Sequence, residues 1–354
     1  MATVEKTILS PSAASGLVDE SFNALDAKLP FSNVLPVVSN NGEKTVRWTP
    51  YIPAPATDAM TVRAWDAEAG YLKTTEQAGE KFAGLLPMSK KAHVSERDLI
   101  GRSGDTAFLR TKLAEHFDQL GREAAVKVEL LRINAMVNAK IVLNENGVNA
   151  TYDFERPTAL NDVTPTTKKW NVSGATPLKD IKKWVKLITD NHGRTPSAVL
   201  TTSAVIEALS TNEEIITAYT GQSAANSPSF ISPDAVKQVL ASYAGLTSVQ
   251  EIDLMYTQLE RDNGILLPVA VNSLIPDKTF LMFSSFNDTT LGFTASGPTV
   301  EADDPEYGIN RADNYGMIGL VMAEAAPTRY DVWVNGSYMP ILQQAVSTFK
   351  ANVL

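Results

Sequence analysis

The side chains best suited to chemistry in this sequence are closely spaced carboxylates. One group lies in an acidic, glycine-containing stretch and a second on a short apolar run: Asp303, Asp304, Glu306 and Asp313, then Glu251 and Asp253. The second pair would share one face of a strand. Paired carboxylates can hydrolyse glycosidic bonds and acidic loops can hold calcium, but no calcium-loop spacing is present. A solvated surface is the default interpretation, and a carboxylate-dependent hydrolase is kept as an alternative.

Other catalytic and metal-binding patterns are missing from the sequence. The three histidines, His93, His116 and His192, lack the spacing of zinc ligands. The absence of cysteine excludes thiol nucleophiles, disulfides and cysteine-ligated metals. There is no Gly-x-Ser-x-Gly turn and no phosphate-binding glycine loop. We therefore predict no catalytic residue, no metal site and no cofactor.

Basic residues form one weak cluster. Its members are Lys168, Lys169, Lys179, Lys182, Lys183 and Lys186. The last four would follow the polar side of an amphipathic helix, so a solvated face is the default and an anionic partner is the alternative. Over the whole chain, 31 basic and 40 acidic side chains give a net charge of −9. That negative balance argues against a protein that binds nucleic acid through an overall basic surface.

The strongest element that could position these side chains is one long helix. No proline occurs between Asp105 and Asn144. Apolar residues follow three- and four-residue steps along one stripe: Leu109, Leu113, Phe117, Leu120, Ala124, Val128, Leu131 and Ala135. We predict a helix over 105–143, about 55–60 Å long, with a bend at Gly121. Asn146-Gly147 then predicts a hairpin turn.

The region before the helix lacks a core of its own. Residues 1–43 have no firm period beyond a short helix at Ser15–Leu25, and a strand is expected within 44–51. Residues 54–90 carry many charges and few large aliphatic residues, which is unusual inside a compact domain. We predict a two-stranded excursion, TVRAWDAEAG outward and KFAGLLPMSKKAHV back. A floppy surface loop is the alternative.

An alternating α/β layout follows the helix from residue 175 to about 300. Thr176-Pro177 and Ser232-Pro233 each predict the start of a helix. Two further strands, MIGLVMAEA and RYDVWVNGSYMPIL, precede a mildly amphipathic tail, QQAVSTFKANVL. No apolar run approaches the length of a membrane span, and the N-terminus lacks the pattern of a secretory signal. The arm, the excursion and the long helix would leave surface that copies of the same chain could cover.

The order of these elements resembles a known family. The stretches that carry the likeness are KAHVSERDLIG, GDTAFLRTKLAEHFDQLGREAAVKVELLRINAMVNAKIVL, TPLKDIKKWVKLITDNHGRTPSAVLTTSAVIEAL and DDPEYGINRADNYG. The chain resembles a tailed-bacteriophage major capsid protein of the lambda-like capsid protein E family, which has the Hong Kong 97-type capsid fold. The likeness extends over essentially the whole chain.

The resemblance implies an α+β capsid fold with a defined order of parts. These are an N-terminal arm (1–43), a peripheral-domain strand (44–53), an extended loop (54–92), a peripheral domain with spine helix 105–143 and a hairpin (93–174), an axial domain (175–305), and a return to the peripheral domain with a C-terminal tail (306–354). It also implies that five residues of the extended loop contact an adjacent subunit: Trp65, Tyr71, Leu72, Lys73 and Lys81. No motif allows a covalent crosslink to be assigned.

The function implied by the resemblance is structural. Such a protein, which is not an enzyme and has no cofactor, would assemble with itself as pentamers and hexamers into an icosahedral shell around double-stranded DNA. Separate scaffolding and portal proteins are expected partners, with a decoration protein as a further candidate. DNA would be enclosed without sequence-specific binding and no membrane would be involved. The product would be made in the host cytoplasm and end in the virion. An encapsulin-like nanocompartment shell, which shares the fold, and another virion structural protein are the alternatives.

Overall fold

The computed structural model describes residues 3–50, 62, 64, 65, 68, 79–102, 104–166, 168–192, 194–222, 226–263, 267, 268, 270–309, 316–325 and 328–354. The helices in these residues are α1 Pro11–Asp26, α2 Glu96–Leu99, α3 Thr106–Asn138, α4 Pro177–His192, α5 Ser203–Ser210, α6 Glu213–Thr220, α7 Pro233–Ala244, α8 Ile252–Asn263, α9 Val271–Leu274 and α10 Val300–Asp303. The strands are β1 Thr3–Val4, β2 Val37–Ser39, β3 Thr45–Trp48, β4 Lys81–Gly84, β5 Leu86–Val94, β6 Lys140–Glu145, β7 Val148–Asp153, β8 Ala198–Thr201, β9 Ser248–Glu251, β10 Thr279–Phe283, β11 Gly292–Gly297, β12 Ile318–Ala325, β13 Thr328–Leu342 and β14 Phe349–Asn352.

Two larger sheets organise the molecule. The 15-residue strand β13 pairs antiparallel with β12, β11 and β5, while β1 and β2 add to the outside of this six-stranded sheet. The second sheet has four strands in the order β14-β10-β8-β9, with β8 and β9 parallel. Two small ladders, β3-β4 and β6-β7, complete the pairing in the described residues. The last strand of the chain thus joins a different sheet from the long strand before it.

Helix α3 is the long element that the sequence predicts, and it is shorter at its C-terminal end. The Asp105 side chain accepts a hydrogen bond from the Phe108 N–H at 3.0 Å and caps the first turn. The 33 residues give a length of about 50 Å. Ala139 adopts a left-handed conformation with φ 50°, and β6 starts at the next residue, so the helix ends at Asn138 and not at 143.

The C-terminal end of α3 is held by a buried arginine. The Arg156 guanidinium donates to the carbonyl oxygens of Met136 and Val137, which have no partner within the helix. It also donates to Thr348 Oγ1 at 2.8 Å, which ties the helix end to the segment before β14. Burial lowers the pKa of Arg156 to about 10, so the group remains charged at neutral pH.

Much of the predicted N-terminal arm belongs to the body of the subunit. Helix α1 begins behind the capping residue Ser10 and buries Ala14, Val18 and Phe22 against α3 and β12. Gly121 of α3 faces α1 so closely that a β-carbon there would lie 2.7 Å from the Val18 carbonyl oxygen. Gly121 therefore allows two helices to approach each other, a role that the predicted bend did not include.

The four-stranded sheet separates two hydrophobic cores. Strand residues alternate in direction, so Leu200 and Phe283 face the core around α3 and the six-stranded sheet. Val199 and Phe280 face the opposite core, which α4, α5, α6 and α7 cover. In that second core Trp170 stacks on Trp184 with ring centroids 5.6 Å apart. The tail that seemed amphipathic in sequence supplies Phe349 and Ala351 to this core as part of β14.

Candidate assembly interface

The base of the predicted excursion is a two-stranded ladder. Strand β3 pairs antiparallel with β4, and Val46, Trp48 and Ala83 turn inward, where the Trp48 ring lies 6.2 Å from that of Phe154. Phe82 turns outward and is 76% exposed. The alternation buries one face on the subunit and leaves an aromatic side chain on the other.

The five residues that the family resemblance predicts to contact an adjacent subunit fall into three groups. Trp65 is 97% exposed and so has almost none of its surface covered by its own chain. Tyr71, Leu72 and Lys73 lie outside the described residues. Lys81 begins β4, where its ammonium group lies 2.5 Å from Glu155 Oε2. The structure therefore gives Lys81 a partner within the chain, and contact of any of the five with an adjacent subunit remains a prediction.

Sequence reasoning missed an exposed apolar side chain on the hairpin β6-β7. Ile141 and Leu143 are buried on one face, whereas Val142 is 57% exposed on the other face, where it lies opposite Thr151. Val148 near the turn is also exposed, but it pairs with Glu145 and so lies on the face of Ile141 and Leu143. The signal was the unbroken apolar run Ile141-Val142-Leu143, since a strand with one solvated face normally alternates with polar residues.

The carboxylates considered for catalysis serve as structural groups. Asp304 accepts the Glu306 N–H at 2.9 Å at the start of a 3₁₀ turn. Glu251 forms an ion pair with Lys237 at 2.7 Å. Asp253 accepts the Ser203 N–H at 2.9 Å, at the start of α5. Glu251 ends β9 while Asp253 lies in α8, so the predicted shared strand face is wrong. Asp313 lies outside the described residues.

A cleft of about 530 Å³ lies where the end of α1 meets the loop after β10. Asn23, Ser32 and Asp288 line it, and none of the carboxylates proposed for hydrolysis does. Within the described part of the chain, no group of three or more histidine, aspartate or glutamate side chains is placed to hold a metal ion. No helix in that part is long and apolar enough to cross a membrane.

A buried charge cluster lies where α8 meets α3. Glu129 and Arg132 of α3 are both fully buried, and Arg132 forms an ion pair with Asp26 at the end of α1. Glu129 Oε1 accepts hydrogen bonds from the Phe31 N–H at 2.9 Å and the Tyr256 hydroxyl at 2.7 Å. Burial raises the pKa of Glu129, and the nearby Arg132 partly offsets that rise. Burial also raises the pKa of Tyr256 well above its usual value, so its hydroxyl stays a donor.

The family model for "Phage major capsid protein E" matches residues 90–314, which include α3, the hairpin and three strands of the four-stranded sheet, β8, β9 and β10. The chain belongs to this family. It is a shell-forming phage capsid protein, and its family is one of structural proteins of the virion. The function predicted from the order of elements is thereby confirmed. No curated protein sequence matches the chain.

Solved structures agree on the fold of this capsid protein. A phage-related protein from Bordetella bronchiseptica RB50 is 11% identical, with 99% of this chain and 97% of that chain covered and a TM-score of 0.54. A protein assigned as a prophage capsid protein from E. coli CFT073 is 12% identical, with 100% of both chains covered and a TM-score of 0.56. The predicted α+β capsid fold is confirmed.

Proposed function

We propose that this capsid protein assembles as pentamers and hexamers into a closed icosahedral shell around a double-stranded DNA genome. Head-to-tail contacts between copies would close the rings, and further contacts would join them. The division into N-terminal segment, extended loop, peripheral domain and axial domain is part of the proposal, with the boundaries given above except that the spine helix ends at Asn138 and α1 packs on the body. Synthesis in the host cytoplasm, separate scaffolding and portal proteins, and the absence of enzymatic activity complete it.

The observation that carries the proposal is the exposure of two aromatic side chains, one on β4 and one in the segment between β3 and β4. Trp65 and Phe82 are large aromatic residues that a single copy leaves almost entirely in water. Obligate interfaces commonly bury about 2,000 Å² or more, and exposed aromatic residues are typical anchors of such interfaces. We expect the segment between β3 and β4 to deliver this area to an adjacent copy.

The negative net charge of the chain is more typical of a protein that encloses DNA than of one that binds DNA tightly. A net charge of −9 per copy, multiplied over a shell, disfavours tight adhesion of DNA to the wall. Packaged DNA must also leave, so weak contact suits the role.

Electron microscopy of the purified chain, co-produced with its scaffolding partner, tests the proposal directly. Closed shells are expected from the parent chain and from Trp65→Phe, which keeps an aromatic ring. Trp65→Ala should give mostly unassembled subunits, because it removes the proposed anchor. A parent chain that stays monomeric at high concentration with the scaffold present would contradict the proposal.

Lys81 allows a second comparison within the same assay. Lys81→Ala and Glu155→Ala each remove the intrachain ion pair, and an exposed pair of this kind contributes little stability. If Lys81 also contacts a neighbour, Lys81→Ala should reduce shell yield more than Glu155→Ala. Equal yields would remove Lys81 from the proposed contact.

A further inference from the structure

Helix α4 presents a row of lysines to solvent. Lys179, Lys182, Lys183 and Lys186 are all exposed, at steps of three and four residues that place them on one side of the helix. The apolar residues of the helix turn the other way, since Leu178, Ile181, Trp184 and Ile188 are buried in the second core. Lys168 and Lys169, in the segment beside the helix, are exposed as well.

These lysines lack the carboxylate partners that six other lysines of the chain have. Ion pairs are formed by Lys81, Lys90, Lys112, Lys127, Lys237 and Lys350. In the described residues no aspartate or glutamate forms an ion pair with the four lysines on α4. Lys168 donates to the Ser173 carbonyl oxygen at 2.9 Å and Lys169 to the Leu354 main-chain oxygen at 2.7 Å, so these two are engaged within the chain. Lys182 lies over the Tyr243 ring, and Lys183 approaches Thr166 Oγ1 at 3.4 Å.

The nearby carboxylates do not neutralise the row. Asp180 is buried and accepts hydrogen bonds from the Trp170 indole N–H and the Thr166 N–H. Glu214 accepts the Leu178 N–H at the start of α4. Asp190 is the exposed carboxylate of α4 itself and lies one turn beyond Lys186. The helix surface therefore carries a local positive charge on a chain that is negative overall.

The surface beneath the row is rigid. Trp170 stacks on Trp184 from the helix, and Phe280 of the four-stranded sheet meets the Trp170 ring edge-on at 5.1 Å. Because the helix backbone is fixed by this packing, the lysines keep their spacing. Lys179 and Lys186 are about 10 Å apart along the helix axis.

The chemistry of the row favours a phosphate backbone over a protein surface. Lysine is depleted in protein–protein interfaces, whose cores bury apolar and aromatic residues, and the large apolar side chains of α4 all point inward or are partly buried. Lysine ammonium groups act as point charges that bind phosphate without the fork geometry used to read bases. Duplex DNA carries one phosphate per about 3.4 Å of each strand, so a row of this length faces several phosphates.

We propose that the lysine face of α4 is the surface through which this capsid protein contacts the phosphate backbone of packaged double-stranded DNA. The inference rests on the proposed enclosure of DNA by the shell. Four contacts of this kind are weak and salt-sensitive, so they agree with a wall that holds DNA loosely. About four phosphate contacts give a slope of log K against log salt near −3.6.

Binding of a fluorescent 30-base-pair duplex to the purified full-length chain, measured at several low salt concentrations, tests the proposal. The variant K179Q/K182Q/K183Q/K186Q should lose most of the binding, and the slope of log K against log salt should fall towards zero. The matched control K90Q/K112Q/K127Q/K237Q removes the same charge from ion-paired lysines and should keep both. Arginine at the four α4 positions should restore binding. Equal losses in the two glutamine variants, or no binding by the parent chain, would overturn the proposal.

Electron microscopy of the same variants separates this proposal from the shell function. Closed shells from the α4 variant, with DNA binding lost, are the expected result. Shells that fail to form while the duplex still binds would instead assign the row to an acidic protein partner and overturn the DNA contact. A parent chain that forms shells without binding DNA would leave the shell function intact and remove the DNA contact.

Lysine modification in whole heads tests whether the row faces the DNA. Lys179 and Lys183 should react more slowly with a small acylating reagent in DNA-filled heads than in emptied heads. Equal rates in the two kinds of head would contradict the proposal.

Discussion

The Tyr256 hydroxyl donates a hydrogen bond of 2.7 Å to Glu129 Oε1, and this contact joins α8 to the long helix α3. Both side chains are buried, and the same carboxylate oxygen accepts the Phe31 N–H from the segment after α1. Three parts of the chain that are far apart in sequence thus meet at one oxygen atom. A buried carboxylate is stable only when its hydrogen bonds are made, so the orientation of these parts is coupled.

Tyr256→Phe should lower the free energy of unfolding by about 1–3 kcal/mol, because it leaves a buried carboxyl oxygen without a hydrogen bond and keeps the ring. Urea unfolding of the unassembled subunit measures the change. Tyr243→Phe is the matched control, since that exposed hydroxyl bonds a carbonyl oxygen at 3.3 Å and its loss should change stability by less than about 0.5 kcal/mol. Equal effects of the two substitutions would remove the special role of the Tyr256 contact.

Glu129 should make the stability of the subunit depend on pH. Its pKa is raised in the folded state, so between its ordinary value and the raised value the folded chain binds more protons than the unfolded chain. Its contribution is therefore complete below the ordinary pKa and is lost as the pH rises through the folded-state pKa. Asp26, Arg132 and Tyr256 face the same carboxylate and set the size of the effect.

Glu129→Gln removes this titration and keeps an oxygen acceptor. The stability of the parent chain relative to Glu129→Gln should fall as the pH is raised above the ordinary carboxyl value of 4.5, as measured by urea unfolding. Glu145→Gln removes the same charge from an exposed ion pair and controls for net charge. A difference between parent and Glu129→Gln that stays constant across this range would show that Glu129 does not titrate there.

Gly121→Ala should destabilise the subunit by about 1–3 kcal/mol, since the new methyl group would meet the α1 backbone at 2.7 Å and force the helices apart. Gly16 in α1 is the matched control: it is also helical, nothing lies within 4 Å of its β-carbon position, and Gly16→Ala should stabilise by up to about 1 kcal/mol. Thermal unfolding of both variants measures the contrast. Two stabilised proteins would show that α1 does not pack closely on α3.

Local pattern predicted the elements that bury one continuous face. The stripe from Leu109 to Ala135 predicts α3 because a helix that packs along one side needs that spacing. Its end could not be predicted, since Ala139 adopts a left-handed conformation that alanine does not favour and that the adjoining hairpin imposes.

Contacts between distant segments explain what the sequence could not predict. The Gly319 N–H donates to Ser15 Oγ at 3.0 Å, a contact between the two ends of the chain that helps to hold the supposed arm on the body. The tail becomes a strand because Phe349 and Ala351 pair with β10, and no local signal indicates that pairing. The family resemblance implied Trp65 as an interface residue, whereas the exposure of Val142 needed the direction of each strand residue to be known.

Because β14 lies near the C-terminal end of the sequence, the second core can be completed only late in synthesis. Strand β10 has β8 on one side and needs residues 349–352 on the other, so the second core has an open side until these residues have been synthesised. A nascent or truncated subunit would expose Phe280 and Trp184 there. We therefore expect subunits that lack residues 349–352 to misfold and to stay out of assembled particles.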